Sequence, residues 1–178
     1  MLGVAVGLFV GQQAAIRRLD LTGGEALVRR VIFFVATAVL VGVALHFRRF
    51  AGAWLIAAGI ALNFVPMAAH GGLMPISYEV VRDSGAFPSI TRSDIGRQIA
   101  NSKDIVLERD DIHFYALSDR FVRTVPLYGT NIYSPGDFVI VAGVGLAAAQ
   151  ALLLLAFGVQ PAELGRRAFL SRRRRPAG

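Results

Sequence analysis

Apolar positions along this chain come in long runs, not in a helical or alternating rhythm. Residues 31–47, VIFFVATAVLVGVALHF, form 17 positions without a formal charge. Residues 51–69, AGAWLIAAGIALNFVPMAA, form 19, and residues 138–159, FVIVAGVGLAAAQALLLLAFGV, form 22. About 20 residues rising about 1.5 Å each cross a hydrocarbon core of about 30 Å. The three runs therefore predict three transmembrane helices, since a helix satisfies every backbone amide within one segment. Buried helices of a soluble bundle are the competing reading, but such helices keep a polar stripe. A further run at 2–15, LGVAVGLFVGQQAA, is only 14 residues long. It reads as a short or truncated first helix, with an interfacial segment as the other option. It lacks the basic start of a signal peptide.

Residues 71–134 break this pattern. The segment is too long for a simple turn and too short for a large core of its own. SITRSDIGRQIANS predicts a short helix, with Thr91 and Asp94 as a capping box and Ile95 and Ile99 four apart. DIVLERDDIHFYAL predicts two short strands around a polar turn at Glu108 to Asp111. The expected fold class is mainly α: a polytopic bundle of three or four transmembrane helices. A small extracytoplasmic α+β cap lies between the last two. The expected organisation is 1–70 for the N-terminal helices, 71–134 for the cap, 135–160 for the final helix and 161–178 for a basic cytoplasmic tail.

Composition agrees with the runs. Hydrophobic residues make up 54% of the 178 and charged residues only 17%, against about a quarter charged in soluble domains. Cysteine is absent, which excludes disulfides, thiolate metal sites and a cysteine nucleophile. The net charge of +7 lies beside the apolar runs and in the tail, while 71–134 holds seven basic and eight acidic residues. That distribution, with no recognisable binding motif, argues against nucleic acid. Arginines near helix ends set orientation. Six follow residue 160, and Arg48 and Arg49 separate the 31–47 and 51–69 runs. Placing both groups in the cytoplasm puts 71–134 outside. Arg17, Arg18, Arg29 and Arg30 oppose this if 2–15 spans, and they leave the inverted topology as the alternative. The tail arginines would then meet anionic lipid at the inner leaflet.

A few polar residues need a reason for their position. Asn63 sits inside the second run, where an interhelical hydrogen bond is the ordinary role and a ligand-facing amide the other. Pro66 loosens the turn before it, His70 stands at the water boundary, and Gly71-Gly72 can end the helix with positive φ. Met74-Pro75 predicts an extended exit. Ser134 as N-cap, Pro135 at N1, Gly136 and Asp137 at N3 make a strong helix start. Gln150 at mid-helix predicts a contact with another helix, and Gly143, Gly145, Ala147, Ala148 and Ala149 permit close packing. The outer ends of two helices would fall on one side, so Asn63, His70, Asp119 and Asp137 form the candidate polar site. No P-loop, HExxH, GxSxG or paired histidine occurs. His46, His70 and His113 are too scattered to predict a metal site. No cofactor is expected, and enzymatic activity is disfavoured.

The order of these motifs resembles a family of uncharacterised bacterial multi-pass membrane proteins, a domain of unknown function. Its pattern of N, GG-x-MP, L-x-D and S-x-GD is matched by Asn63, Gly71, Gly72, Met74, Pro75, Leu117, Asp119, Ser134, Gly136 and Asp137. The resemblance covers roughly residues 45–155. It implies a membrane class and no reaction, and it implies a further upstream helix that this chain's short start does not supply. The expected function is a non-enzymatic structural or partner-binding membrane module, with the lipid bilayer, a membrane protein or a second copy as partner. The alternative is a small oligomeric transporter or ligand-binding protein using the polar site.

Overall fold

The computed structural model describes residues 25–99, 102–126 and 129–157. The first apolar run, all but Phe47, lies in α1, Glu25–His46. The second is α2, Ala51–Ala69. Ser134 and Pro135 open the last helix, α4, Pro135–Phe157. Among the described residues α2 and α4 are long and apolar enough to cross a membrane, and α1 contributes a shorter apolar stretch over residues 30–46. The 2–15 and 161–178 segments lie outside the described residues.

Glycine decides how α2 and α4 meet. They run antiparallel and share the most extensive contact of any two elements among the described residues. Gly52 faces Gly143 and Ala147, and Gly59 faces Gly136 and Ile140. Each helix thus carries two glycines seven residues apart, a spacing that returns the same face every two turns. A Cβ at Gly59 would stand 2.7 Å from the Gly136 carbonyl and 2.9 Å from the Ile140 nitrogen. Only hydrogen fits there. Gly145 is different: a Cβ there meets nothing within 4 Å, so it belongs to the outer face and not to the packing stripe expected of it. Gln150 does reach α2, where its Oε1 accepts from the Gly52 N–H at 3.4 Å, an amide of the first turn that has no intrahelical partner.

α1 packs on α2 near the cap end. Phe33 stacks on Phe64, with ring centroids 5.5 Å apart and planes 8° from parallel. Phe33, Met67 and Met74 form one buried cluster. Gly72 (φ +90°) brings the chain so close that a Cβ would lie 3.3 Å from Phe33. With Gly71 (φ +67°) it turns the chain out of α2, and the Gly72 N–H closes on the Met67 carbonyl at 2.7 Å.

The cap begins with β1, Met74–Ser77, every residue of it buried. The extended exit read from Met74-Pro75 is this strand. Ser77 then caps a short helix, α3, Tyr78–Ser84, accepting from the Val80 N–H; Gly85 in the left-handed conformation ends it. β1 pairs in parallel with β2, Asp104–Leu107, from Met74↔Asp104 to Ser77↔Leu107. On its other side β1 bridges to Asp119 through Ile76. Ile76, Val81, Ile99 and Val106 make the cap core. An antiparallel hairpin follows: β3, Phe121–Val125, and β4, Gly129–Tyr133.

Two expectations for the cap are corrected. The SITRSDIGRQIANS stretch is not a helix but a single 3-10 turn, Arg92–Asp94. The capping box exists, with Asp94 accepting from the Thr91 N–H at 2.9 Å, yet Gly96 turns to φ +86°. Backbone at 96–99 then pairs with β2, as in Gly96 N–H to the Val106 carbonyl at 2.7 Å. The free edge of β2 outcompetes a second helical turn. Likewise only the first of the two strands read in DIVLERDDIHFYAL forms. The second half is two 3-10 turns, Arg109–Asp111 and Tyr115–Leu117, joined through Phe114 at φ +61°, a conformation that no strand contains.

Candidate functional site

Asn63 and Asp137 meet. The Asn63 Nδ2–H donates to Asp137 Oδ1 at 2.8 Å, and the Ser134 hydroxyl donates to Asn63 Oδ1 at 2.7 Å. Asp137 Oδ2 accepts from the Ser134 N–H at 2.9 Å, and the Asp137 N–H donates to Ser134 Oγ at 3.1 Å. The capping box at the start of α4 is therefore locked to a side chain from α2. Both polar ends of Asn63 are used, and so are both oxygens of Asp137.

Asp119 stands beside this knot in a different environment. The residue is 2% exposed. Lys103 Nζ donates to Asp119 Oδ2 at 3.3 Å and to Asp104 Oδ1 at 3.2 Å, while Asp104 Oδ2 accepts from Ser102 at 2.5 Å. Asp119 Oδ1 is buried with no hydrogen-bond partner. Burial disfavours its charge most, and Asp104 and Asp137 repel it further. Lys103 opposes them but does not win, so the Asp119 carboxyl is pushed up to about 7. For Lys103, burial is outweighed by Asp104, Asp119 and Asp137 together, which raise its pKa and keep it charged. One ammonium thus feels three carboxylates, and it contacts two of them, Asp104 and Asp119. Among the described residues no group of histidine, aspartate and glutamate is arranged to bind a metal ion.

His70 makes contacts of its own, separate from the Asn63–Asp137 bond. Its Nδ1–H donates to the Pro66 carbonyl at 2.7 Å, and its Nε2 accepts from the His113 N–H at 3.3 Å. The ring ties the end of α2 to the Arg109–Asp111 turn and the residues after it. Of the four candidate residues, the structure joins Asn63 to Asp137, sets Asp119 within electrostatic reach of Asp137, and gives His70 a separate clamp. Sequence reasoning missed Lys103 and Asp104. A signal existed: Lys103 is the only lysine among 19 basic residues, and it sits in the cluster that needs a flexible cation.

No characterised protein and no solved structure matches the chain. A family model does match, over residues 7–149, and it takes in α1, α2, the cap and most of α4. The chain belongs to this family, DUF5317, a family of unknown function.

Proposed function

We propose that the chain is a multi-pass integral membrane protein in which α1, α2 and α4 span the bilayer. The cap stands on the extracytoplasmic side, and the tail arginines lie in the cytoplasm. Its role is non-enzymatic: the cap is held on the helix ends as a structural or partner-binding module. The carrying observation is the outer surface of α4, where Val141 is 69%, Leu152 66% and Leu155 82% exposed. A contiguous apolar surface of that kind needs lipid or another apolar partner. The Asn63–Ser134–Asp137 knot supports the structural part, because it spends every polar atom on holding the cap's end to the helices.

The absence of cysteine gives a direct test. Single cysteines at Ser89, which is exposed, and at Ser171 are labelled in intact cells with an impermeant maleimide. Labelling at Ser89→Cys alone supports the proposed topology. Labelling at Ser171→Cys alone inverts it. A second reading, an oligomeric transporter, is favoured by the unpartnered oxygen of Asp119. It expects proteoliposomes to pass protons, seen with an internal pH dye, and Asp119→Asn to abolish the flux.

A further inference from the structure

Residues directly opposite in an antiparallel pair share a face. In the hairpin, Val122 opposes Ile132 and Thr124 opposes Thr130. That face looks to the cap, since Ile132 packs on the cap core. The other face carries Phe121 opposite Tyr133, Arg123 opposite Asn131, and Val125 opposite Gly129. Its root does not end in solvent. Phe121 packs edge-on against Phe138 at 5.5 Å, and Tyr133 lies 6.1 Å from the same ring. Phe138 is itself 42% exposed, and three residues on, Val141 stands out at 69%. The apolar outer surface of α4 thus continues through Phe138 onto the hairpin.

Charge follows the aromatics. Arg120 lies over the Phe121 ring at 4.9 Å, and its Nε is buried without a hydrogen-bond partner. Arg123 is exposed. Among the described residues neither is paired with a carboxylate, and nor is Arg109, whereas Arg82, Arg92, Arg97 and Lys103 are. Aromatic rings at a helix end with unpaired arginines beside them match the headgroup zone of a bilayer, where rings sit at the interface and guanidinium forks meet phosphate.

Resting on the membrane reading above, we propose that the β3–β4 hairpin is an interfacial arm. Its Phe121–Tyr133 face lies on the leaflet at which α4 begins, and Arg123 on that face binds the phosphate of anionic phospholipid. The partner is the lipid surface, taken as an extension of the surface α4 already offers.

Tryptophan placement tests this in full-length protein, in a Trp54→Phe background that removes the only native tryptophan. Val125→Trp reports the hairpin and Val141→Trp reports α4. Both are reconstituted in phosphatidylcholine vesicles, with or without phosphatidylglycerol, carrying lipids brominated near the headgroup or deep in the chain. The proposal expects Val125→Trp to be quenched by the shallow bromines and Val141→Trp by the deep ones. In detergent, a brominated short-chain phosphatidylglycerol should quench Val125→Trp, with Arg123→Gln weakening the apparent affinity about fivefold. Inorganic phosphate should not compete; if it does at equal strength, the site takes free phosphate and the lipid assignment falls. Quenching at Val141→Trp but not at Val125→Trp overturns the arm and spares the membrane reading. Quenching at neither removes the membrane reading itself. Equal response to phosphatidylcholine and phosphatidylglycerol, unchanged by Arg123→Gln, overturns the anionic preference; Arg123 is exposed, so this variant is not compromised by misfolding.

Discussion

Asn63 in α2 and Asp137 in α4 are 74 residues apart and bonded at 2.8 Å. The bond joins one helix's last turns to another helix's first turn, at the end where the cap sits. Asp137 already accepts from Ser134 within its own helix start, so Asn63 adds a tertiary bond to a local cap. That makes the junction of three parts depend on one amide.

Asn63→Ala should therefore destabilise by more than an exposed polar deletion. It leaves Asp137 Oδ1 and the Ser134 hydroxyl without their partner, at a cost of about 1–3 kcal/mol. Asn63→Asp should be worse, because a second carboxylate would face Asp137. Thermal unfolding of the purified protein in detergent gives the order wild type, Ala, Asp. If the Ala variant melts with wild type, the knot is not structural.

The two kinds of glycine in α2 and α4 separate packing from mere composition. Gly59→Leu drives a side chain into the Gly136 backbone and should cost about 1–3 kcal/mol or more, the usual range for overpacking. Gly145→Leu enters open space and should leave folded yield unchanged. Monodisperse yield after extraction measures both. Equal losses would mean that α2 and α4 do not approach as described.

The same pair shows why the sequence was legible in one place and not in another. Helix spans follow from hydrophobic runs, and the ends of α2 and α4 follow from Gly71-Gly72 and Ser134-Pro135, because each signal is local. Gly143 and Gly145 look alike in sequence; only the partner helix tells them apart. The cap was harder. Thr91 and Asp94 do form their box, but a strand edge that cannot be seen locally captures residues 96–99. The Phe121–Tyr133 hairpin is hidden in the sequence because neither FVRTV nor TNIY alternates apolar with polar residues. The Asp119 environment depends on Lys103 and Asp104, which reach it only through the parallel pairing of β1 with β2.

His70 offers a local test. Its Nε2 accepts the His113 N–H, so His70→Ala should free that amide without touching the α2–α4 interface. Hydrogen exchange at His113 should quicken by roughly fivefold, the equivalent of about 1 kcal/mol. Exchange along α4 should stay as it was. Faster exchange in α4 as well would assign His70 a role in the helix junction.

Asp119 gives the pH dependence. Its carboxyl is raised from 3.8 to about 7 in the folded chain, so the folded state binds this proton more tightly than the unfolded state. The contribution is therefore favourable at acid pH and is lost as pH rises from about 4 to 7, at no more than about 1.4 kcal/mol per pH unit. Other carboxylates add slopes of their own. The informative curve is thus the difference between wild type and Asp119→Asn, which keeps the shape and removes the titration. That variant should gain on wild type steadily through this window and hold a constant advantage above it. The groups facing Asp119 are Lys103, Asp104 and Asp137, so Lys103→Met should push the window to higher pH by removing the one favourable charge. Melting temperatures of the three proteins between pH 4 and 9 decide the matter. An advantage for wild type that grows with pH would mean that Asp119 is ionised and paired with Lys103 throughout, and that the buried oxygen is satisfied by some other group.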